Sequence, residues 1–393
     1  MDVDTALRSL FFVLGLAALT PIITGLLPGP RVPQVVVFLM GGVVIGPEVL
    51  DLGSASSLNV FSEVGLGFLF LLAGYEVDPK LLREPVMRMA ATAWFGSVAV
   101  SLAVTGVLWA TGLVSDYVVI AIGLTTTALG TILPIVRDAG LLEGPLARPI
   151  VANGAIGEFG PILAMAIFLG TAGKFIALVT LMLFGFMAVT VLFIPRRLVP
   201  SKVSEIVAGG TEQTSQATLR WVVVMLVGLL LIAGQLGLDV ILGAFAAGVV
   251  LRLARPKDIE VLEHKLDAVG YGFFIPIYFI VSGMNLDIVS IVENPGRLLM
   301  FFALLIVVRG GSVFIVHRNL PNKERRQLAL LSATALPLLV ALSQIGMEAG
   351  KMQPANAAAL VGAGALSVLI FPMLATRGTA KEGSPTVVPA AES

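Results

Sequence analysis

A helix needs about 20 predominantly apolar residues to cross the hydrocarbon of a bilayer, and stretches of that size follow one another along almost the whole of this chain. Separated by Gly, Pro and charge clusters, they fall near residues 5–27, 32–50, 58–75, 87–111, 117–136, 148–170, 175–194, 219–236, 239–254, 264–284, 297–316, 327–346 and 355–375. A mean hydropathy of +0.98, with 57% hydrophobic and only 13% charged residues over 393, excludes a soluble globule. The expected fold is an all-α membrane protein of about 13 transmembrane helices, multi-pass in a cell (inner) membrane. Residues 1–8 lack the basic and small-residue pattern of a cleaved signal peptide, so the first span is expected to be retained.

Cytoplasmic loops carry the excess of Lys and Arg, which orients the spans. The loops after odd-numbered spans, with the tail, hold 20 of these residues, and the other side holds four: Arg8, Lys174, Arg297 and Lys351. The N-terminus is therefore expected outside and the C-terminus in the cytoplasm. The remaining base, Arg309, falls inside the eleventh span. The formal net charge of zero offers no argument for nucleic acid, and the absence of Cys removes disulfides, thiol redox chemistry and thiolate metal sites.

An internal repeat underlies the span pattern. Gly42-Val43-Val44-Ile45 returns as Gly248-Val249-Val250-Leu251 at an offset of 206 residues. Gly74 and Asp78 return as Gly283 and Asp287 at 209, and Thr127-Ala128-Leu129 returns as Thr334-Ala335-Leu336 at 207. Spans two, three and five thus correspond to nine, ten and twelve. A shift of seven turns the second half upside down relative to the first, the inverted-repeat design of secondary transporters. The division expected is a first repeat over 1–174 with core spans five and six, a linking helix and cytoplasmic loop over 175–218, a second repeat over 219–376 with core spans eleven and twelve, and a disordered cytoplasmic tail over 377–393.

Span six, RPIVANGAIGEFGPILAMAIFLG at 148–170, holds one acid, Glu158, near its middle. A carboxylate there is costly, and such residues usually serve an ion or proton pathway, the alternative being a tie between helices. Gly154, Gly157, Gly160 and Pro161 are expected to loosen this helix and free backbone groups that join Asn153 as ligands; close packing by small residues is the alternative. Spans five and twelve read as broken, the first at Thr125, Thr126, Thr127, Gly130 and Pro134, the second at Ser332, Thr334 and Pro337. Half-helix ends and hydroxyls at the midplane can replace an ion's water shell; the alternative is two proline kinks healed by hydroxyls. The candidate ion- and proton-binding set is therefore Glu158 with Asn153, Thr126, Thr127, Ser332 and Thr334, and Arg309 is the charge-compensating candidate. Glu63, Asp267, His264 and His317 lie toward span ends, where solvated roles are expected. No phosphate loop with its lysine and no catalytic set of His, Ser and Asp is present, so neither an enzyme, nor an ATP-driven step, nor a cofactor is expected.

Four stretches, GLGFLFLLAGYEVDPKLLRE (65–84), TTTALGTILPIVRDAG (125–140), GLDVILGAFAAGVVLR (237–252) and FFIPIYFIVSGMNLDI (273–288), together resemble the monovalent cation:proton antiporters, in the branch of bacterial sodium/proton exchangers and glutathione-gated potassium-efflux systems. The resemblance covers nearly the whole chain. It implies that the acid of span six binds the cation or the proton; the family's usual acid is an aspartate preceded by Asp, Asn or Gln, where this chain has Gly157-Glu158. It also implies a basic residue in span eleven, matched by Arg309, and an elevator-like core of spans five, six, eleven and twelve moving against a dimerisation domain in a homodimer. Exchange of H⁺ for Na⁺ or K⁺ at Glu158 is then expected, the metal ion being cargo. With Arg309 permanently charged, only Glu158 is counted as able to lose a proton in the core, which makes the exchange one for one and electroneutral. A cation channel, a sodium-coupled organic-solute symporter of similar inverted-repeat fold and a membrane sensor are the rival readings.

Overall fold

In hydrocarbon every backbone N–H and C=O must find its partner within the chain, and the apolar runs achieve this as helices. The computed structural model describes residues 3–26, 32–76, 84–169, 217–235, 240–254 and 259–377, and there is no strand among them. The first half contains α1 (Val3–Leu26), α2 (Gln34–Ile45), α3 (Asn59–Glu76), α4 (Pro85–Ala110), α5 (Tyr117–Gly123), α6 (Leu129–Asp138) and α7 (Ala147–Phe168). The second contains α8 (Ala217–Gln235), α9 (Val240–Ala254), α10 (Ile259–Val269), α11 (Ile275–Met284), α12 (Ile288–Glu293), α13 (Pro295–Leu304), α14 (Gly311–Val316), α15 (Asn322–Ser332), α16 (Pro337–Glu348) and α17 (Pro354–Thr376). Single π-helical turns, Gly270–Phe274 and Leu305–Gly310, join α10 to α11 and α13 to α14. Among the described residues, seven helical segments are long and apolar enough to cross a membrane, and shorter apolar helices accompany them. The predicted span at 175–194, the loop after it and the tail beyond 377 lie outside the described residues.

The glycines echoed by the repeat are where helices touch. A Cβ on Gly42 of α2 would strike the Ile280 carbonyl of α11, and one on Gly283 of α11 would strike the Leu39 carbonyl of α2. Gly74 of α3 meets the Phe245 carbonyl of α9 in the same way, and Gly248 of α9 meets the Leu71 carbonyl of α3. Small residues permit this approach where lipid supplies no hydrophobic drive between helices. Each contact pairs an element of one repeat with an element of the other, so the halves interlock. Asp78, part of the same echo, lies outside the described residues.

Both predicted breaks form. α5 stops at Gly123 and α6 starts at Leu129, and α15 stops at Ser332 while α16 starts at Pro337, whose missing N–H removes one of the donors that the first turn would otherwise leave unbonded. The unwound segments cross. The Ala128 N–H donates to the Thr334 carbonyl (2.8 Å), and the Thr127 hydroxyl donates to the Ser332 carbonyl (2.6 Å).

The loosening expected of span six does not occur, because α7 runs unbroken from Ala147 to Phe168 through Pro161. Its glycines are sites of close approach: a Cβ at Gly154 would press on Leu129, at Gly157 on Thr127 and Arg309, and at Gly160 on the Trp94 ring. Proline at 161 cannot bond the carbonyl four residues back, and that freed group, the Gly157 carbonyl, accepts the Thr127 N–H at 2.9 Å.

Two substitutions separate these cases. Gly283→Val should lower the melting temperature of the detergent-solubilised protein, on the scale of core overpacking, about 1–3 kcal/mol. Gly106→Ala, with nothing within 4 Å of the added carbon, should hold or raise it.

Candidate functional site

Glu158 stands midway along α7, and its Oε1 accepts the backbone N–H groups of Leu129 (2.7 Å) and Gly130 (3.4 Å). These are the first two N–H groups of α6, which a helix leaves unbonded at its N-terminus and which carry the positive end of its dipole. The break in span five thus delivers two backbone donors to the acid from a neighbouring helix. Glu158 borders a cavity of about 830 Å³ together with Glu76, Tyr271, Gly130 and Thr131. No hydrogen bond reaches its second carboxylate oxygen among the described residues.

Glu76, the last residue of α3, shares this cavity, so counting Glu158 as the single acid in reach is incomplete. The signal was present: an acid closing a glycine-lined span inside one of the quoted stretches. Tyr271, 48% exposed in a π turn, lines the same cavity and also escaped the sequence reading.

Arg309 is fully buried in the π turn Leu305–Gly310, a deviation common at functional positions. It forms no ion pair with Glu158. Its Nε donates to the Thr127 hydroxyl oxygen (3.0 Å) and its Nη2 to the Asn153 carbonyl (2.7 Å), while Nη1 has no partner among the described residues. Since Thr127 in turn donates to the Ser332 carbonyl at the end of α15, the guanidinium supports the crossing itself. Gly157 keeps this arrangement possible, because a Cβ there would lie 2.9 Å from Arg309 Nη2.

The remaining candidates separate. Thr127, Ser332 and Thr334 meet at the crossing, Ser332 and Thr334 through their carbonyls. The Thr126 hydroxyl turns back to the Gly123 carbonyl (2.7 Å) and the Thr334 hydroxyl to the Leu330 carbonyl (3.1 Å). The Asn153 amide is directed away from Glu158, donating to the Pro149 carbonyl (2.9 Å) and lying 3.0 Å from His317 Nε2. His317 was expected to be solvated and is instead 1% exposed; α4 and α15 pack on the short helix that precedes it, and Asn153 of α7 lies against its ring. His264 is exposed, as expected.

The second half has a neutral version of the same tie. Ser367 lies on α17, which corresponds to α7 under the shift of seven. Its hydroxyl accepts the Ala335 N–H (3.0 Å) just before α16 and donates to the Gly364 carbonyl (2.7 Å).

Interlocked repeats with a carboxylate at a broken-helix crossing are the architecture of a multi-pass membrane protein of inverted-repeat design. A family model described as "Sodium/hydrogen exchanger, transmembrane" matches residues 14–376, and the chain belongs to that family, within the monovalent cation:proton antiporters. The putative Na(+)/H(+) antiporter YjbQ of Bacillus subtilis is 25% identical over 94% of this chain and 62% of its own length. The glutathione-regulated potassium-efflux system protein KefC of Salmonella heidelberg is 29% identical over 96% of this chain and 61% of its own. The chain thus spans about three fifths of these relatives. The solved structure of the sodium proton antiporter MjNhaP1 from Methanocaldococcus jannaschii at pH 8 shares the fold with a TM-score of 0.65, at 18% identity over 96% of this chain and all of that one.

The two bonds from Arg309 call for a planar fork. Arg309→Lys should therefore lower the melting temperature, by about 1.5–3 kcal/mol for the charge-assisted bond that a single ammonium cannot keep.

Proposed function

We propose that this protein exchanges protons for Na⁺ or K⁺ across a cell membrane by competition for Glu158. The observation that carries the reading is the carboxylate itself: one oxygen held by the N-terminus of α6, the other uncommitted beside a cavity. One such group holds a proton or a cation and not both, so each cargo displaces the other. The names of the relatives, a sodium/proton antiporter and a potassium-efflux protein, support the cargo class.

The moving part is the crossing of α5–α6 with α15–α16, together with α7 and the α13–α14 span, tied through the bonds of Thr127, Ala128 and Arg309. The part that stays is the frame of α2, α3, α9 and α11 knitted by the four glycines, on which a homodimer forms. Motion of one against the other is elevator-like, with the N-terminus outside and the large cavity open to the cytoplasm. Glu76 belongs to α3 and therefore to the frame. It draws cations into the cavity without travelling, so a cycle carries Glu158 across once protonated and once paired with a cation, and exchange is one for one.

Glu158→Gln should abolish cation-driven proton movement in proteoliposomes while the protein still folds. The glutamine carbonyl can accept the Leu129 N–H, so the melting temperature should hold or rise; normal exchange by a well-folded variant would refute the assignment. In wild-type proteoliposomes clamped with valinomycin and potassium, or another ionophore where K⁺ is the cargo, the rate should ignore the imposed voltage. A rate that tracks voltage means that a second group moves charge.

A further inference from the structure

The helices that line the cavity beside Glu158 line a second cavity at the opposite end of the bundle. α3 gives Glu76 to the first and Glu63 to the second, α11 gives Phe279 and Ser282, and α16 gives Pro337 and Ser343. At 1.5 Å per residue, Glu63 and Glu76 are separated by about 20 Å along α3. Between the two, Leu66, Phe68, Tyr278, Ile280 and Leu339, none more than 5% exposed, close the seam.

The second cavity, of about 350 Å³, is bordered by three carboxylates, Glu63, Asp287 and Glu348, and by no basic residue. The Ser290 hydroxyl and N–H hold the Asp287 carboxyl below the usual carboxylate range, so it is ionised. Ser343, only 2% exposed, is on the stripe of α16 that faces the cavity, and its hydroxyl has no partner among the described residues. That is unusual, since hydroxyls in membrane helices ordinarily bond a carbonyl of the preceding turn, as Ser97 and Thr105 do in α4. A buried hydroxyl without a partner at the wall of an acidic cavity calls for an explanation, and a ligand in that cavity is one. No group of three acids or histidines among the described residues converges closely enough to hold a metal ion directly, so the fitting ligand is a cation that keeps most of its water.

We propose that this cavity is a second, weak cation site that takes a hydrated monovalent cation at the face of the membrane opposite the Glu158 cavity. The assignment of the ion as cargo rests on the exchange reading above; the binding itself does not. Ser343 supplies an oxygen, and the three carboxylates supply the field.

The test uses protein carrying both Glu158→Gln and Glu76→Gln, which lacks the two carboxylates of the other cavity. Its melting temperature is followed in NaCl, KCl and choline chloride at equal ionic strength. Na⁺ or K⁺ should raise it above choline. The rise should vanish when Glu63→Gln and Glu348→Gln are added, two exposed changes that spare the fold, and should shrink with Ser343→Ala, which removes only a partnerless hydroxyl. A rise no greater than that in choline, or one indifferent to these three changes, overturns the proposal. Ca²⁺ or Mg²⁺ acting at a hundredfold lower concentration overturns its monovalent class. Because this readout needs no transport, failure of the exchange assay strikes the proposed function and leaves the site standing. In vesicles of defined sidedness, Glu63→Gln with Glu348→Gln should raise at least threefold the ratio of the half-saturating cation concentration at this face to that at the other; an unchanged ratio also overturns the proposal.

Discussion

Two helices that unwind within hydrocarbon expose backbone groups whose neglect costs several kcal/mol each, and here each break is the other's remedy. The Ala128 N–H needs the Thr334 carbonyl, and the Ser332 carbonyl needs the Thr127 hydroxyl. Much of the local sequence follows from this exchange. Position 157 carries no side chain because Thr127 lies against it, Pro161 releases the carbonyl that the Thr127 N–H takes, and Arg309 reaches inward to the same threonine. Remove the crossing, and none of these residues has a reason for its place.

The fold was legible because lipid permits so few solutions. Apolar windows marked the helices, and Gly42, Gly74, Gly248 and Gly283, noticed only as echoes, proved to be the points where the repeats interlock. The breaks were legible for a related reason: three successive threonines ahead of Ala128-Leu129 are poor continuous helix, and a proline at 337 is a good helix start. What sequence did not reveal was direction around a helix axis and closeness between distant elements. Asn153 and Glu158 share α7, yet one faces His317 and the other the cavity. Glu76, which the sequence reading passed over, is a cavity wall. The glycines of α7 were read as slack in the helix, whereas they are contact points, a distinction that needs the neighbour as well as the residue.

The two charges within the membrane are handled separately. A direct pair of Glu158 with Arg309 would have taken up the second carboxylate oxygen and drawn the guanidinium away from the crossing. Instead the acid rests on the start of α6, and the base rests on a carbonyl and a hydroxyl. Each is stabilised by backbone dipoles and hydrogen bonds, which keep their geometry when the other charge changes.

The tie made by Ser367 on the inverted copy gives this last point a wider meaning. A hydroxyl holds the start of α16 in the same way in acid, in alkali and in any salt, whereas a carboxylate offers α6 a different cap when bare, protonated or occupied. The repeat gives the protein two corresponding joints, and only one of them carries an ionisable group. A frame with two like joints has no inherent preference for either face of the membrane. Under the proposed exchange, a single joint that registers its occupant supplies that preference, and ties it to what is bound.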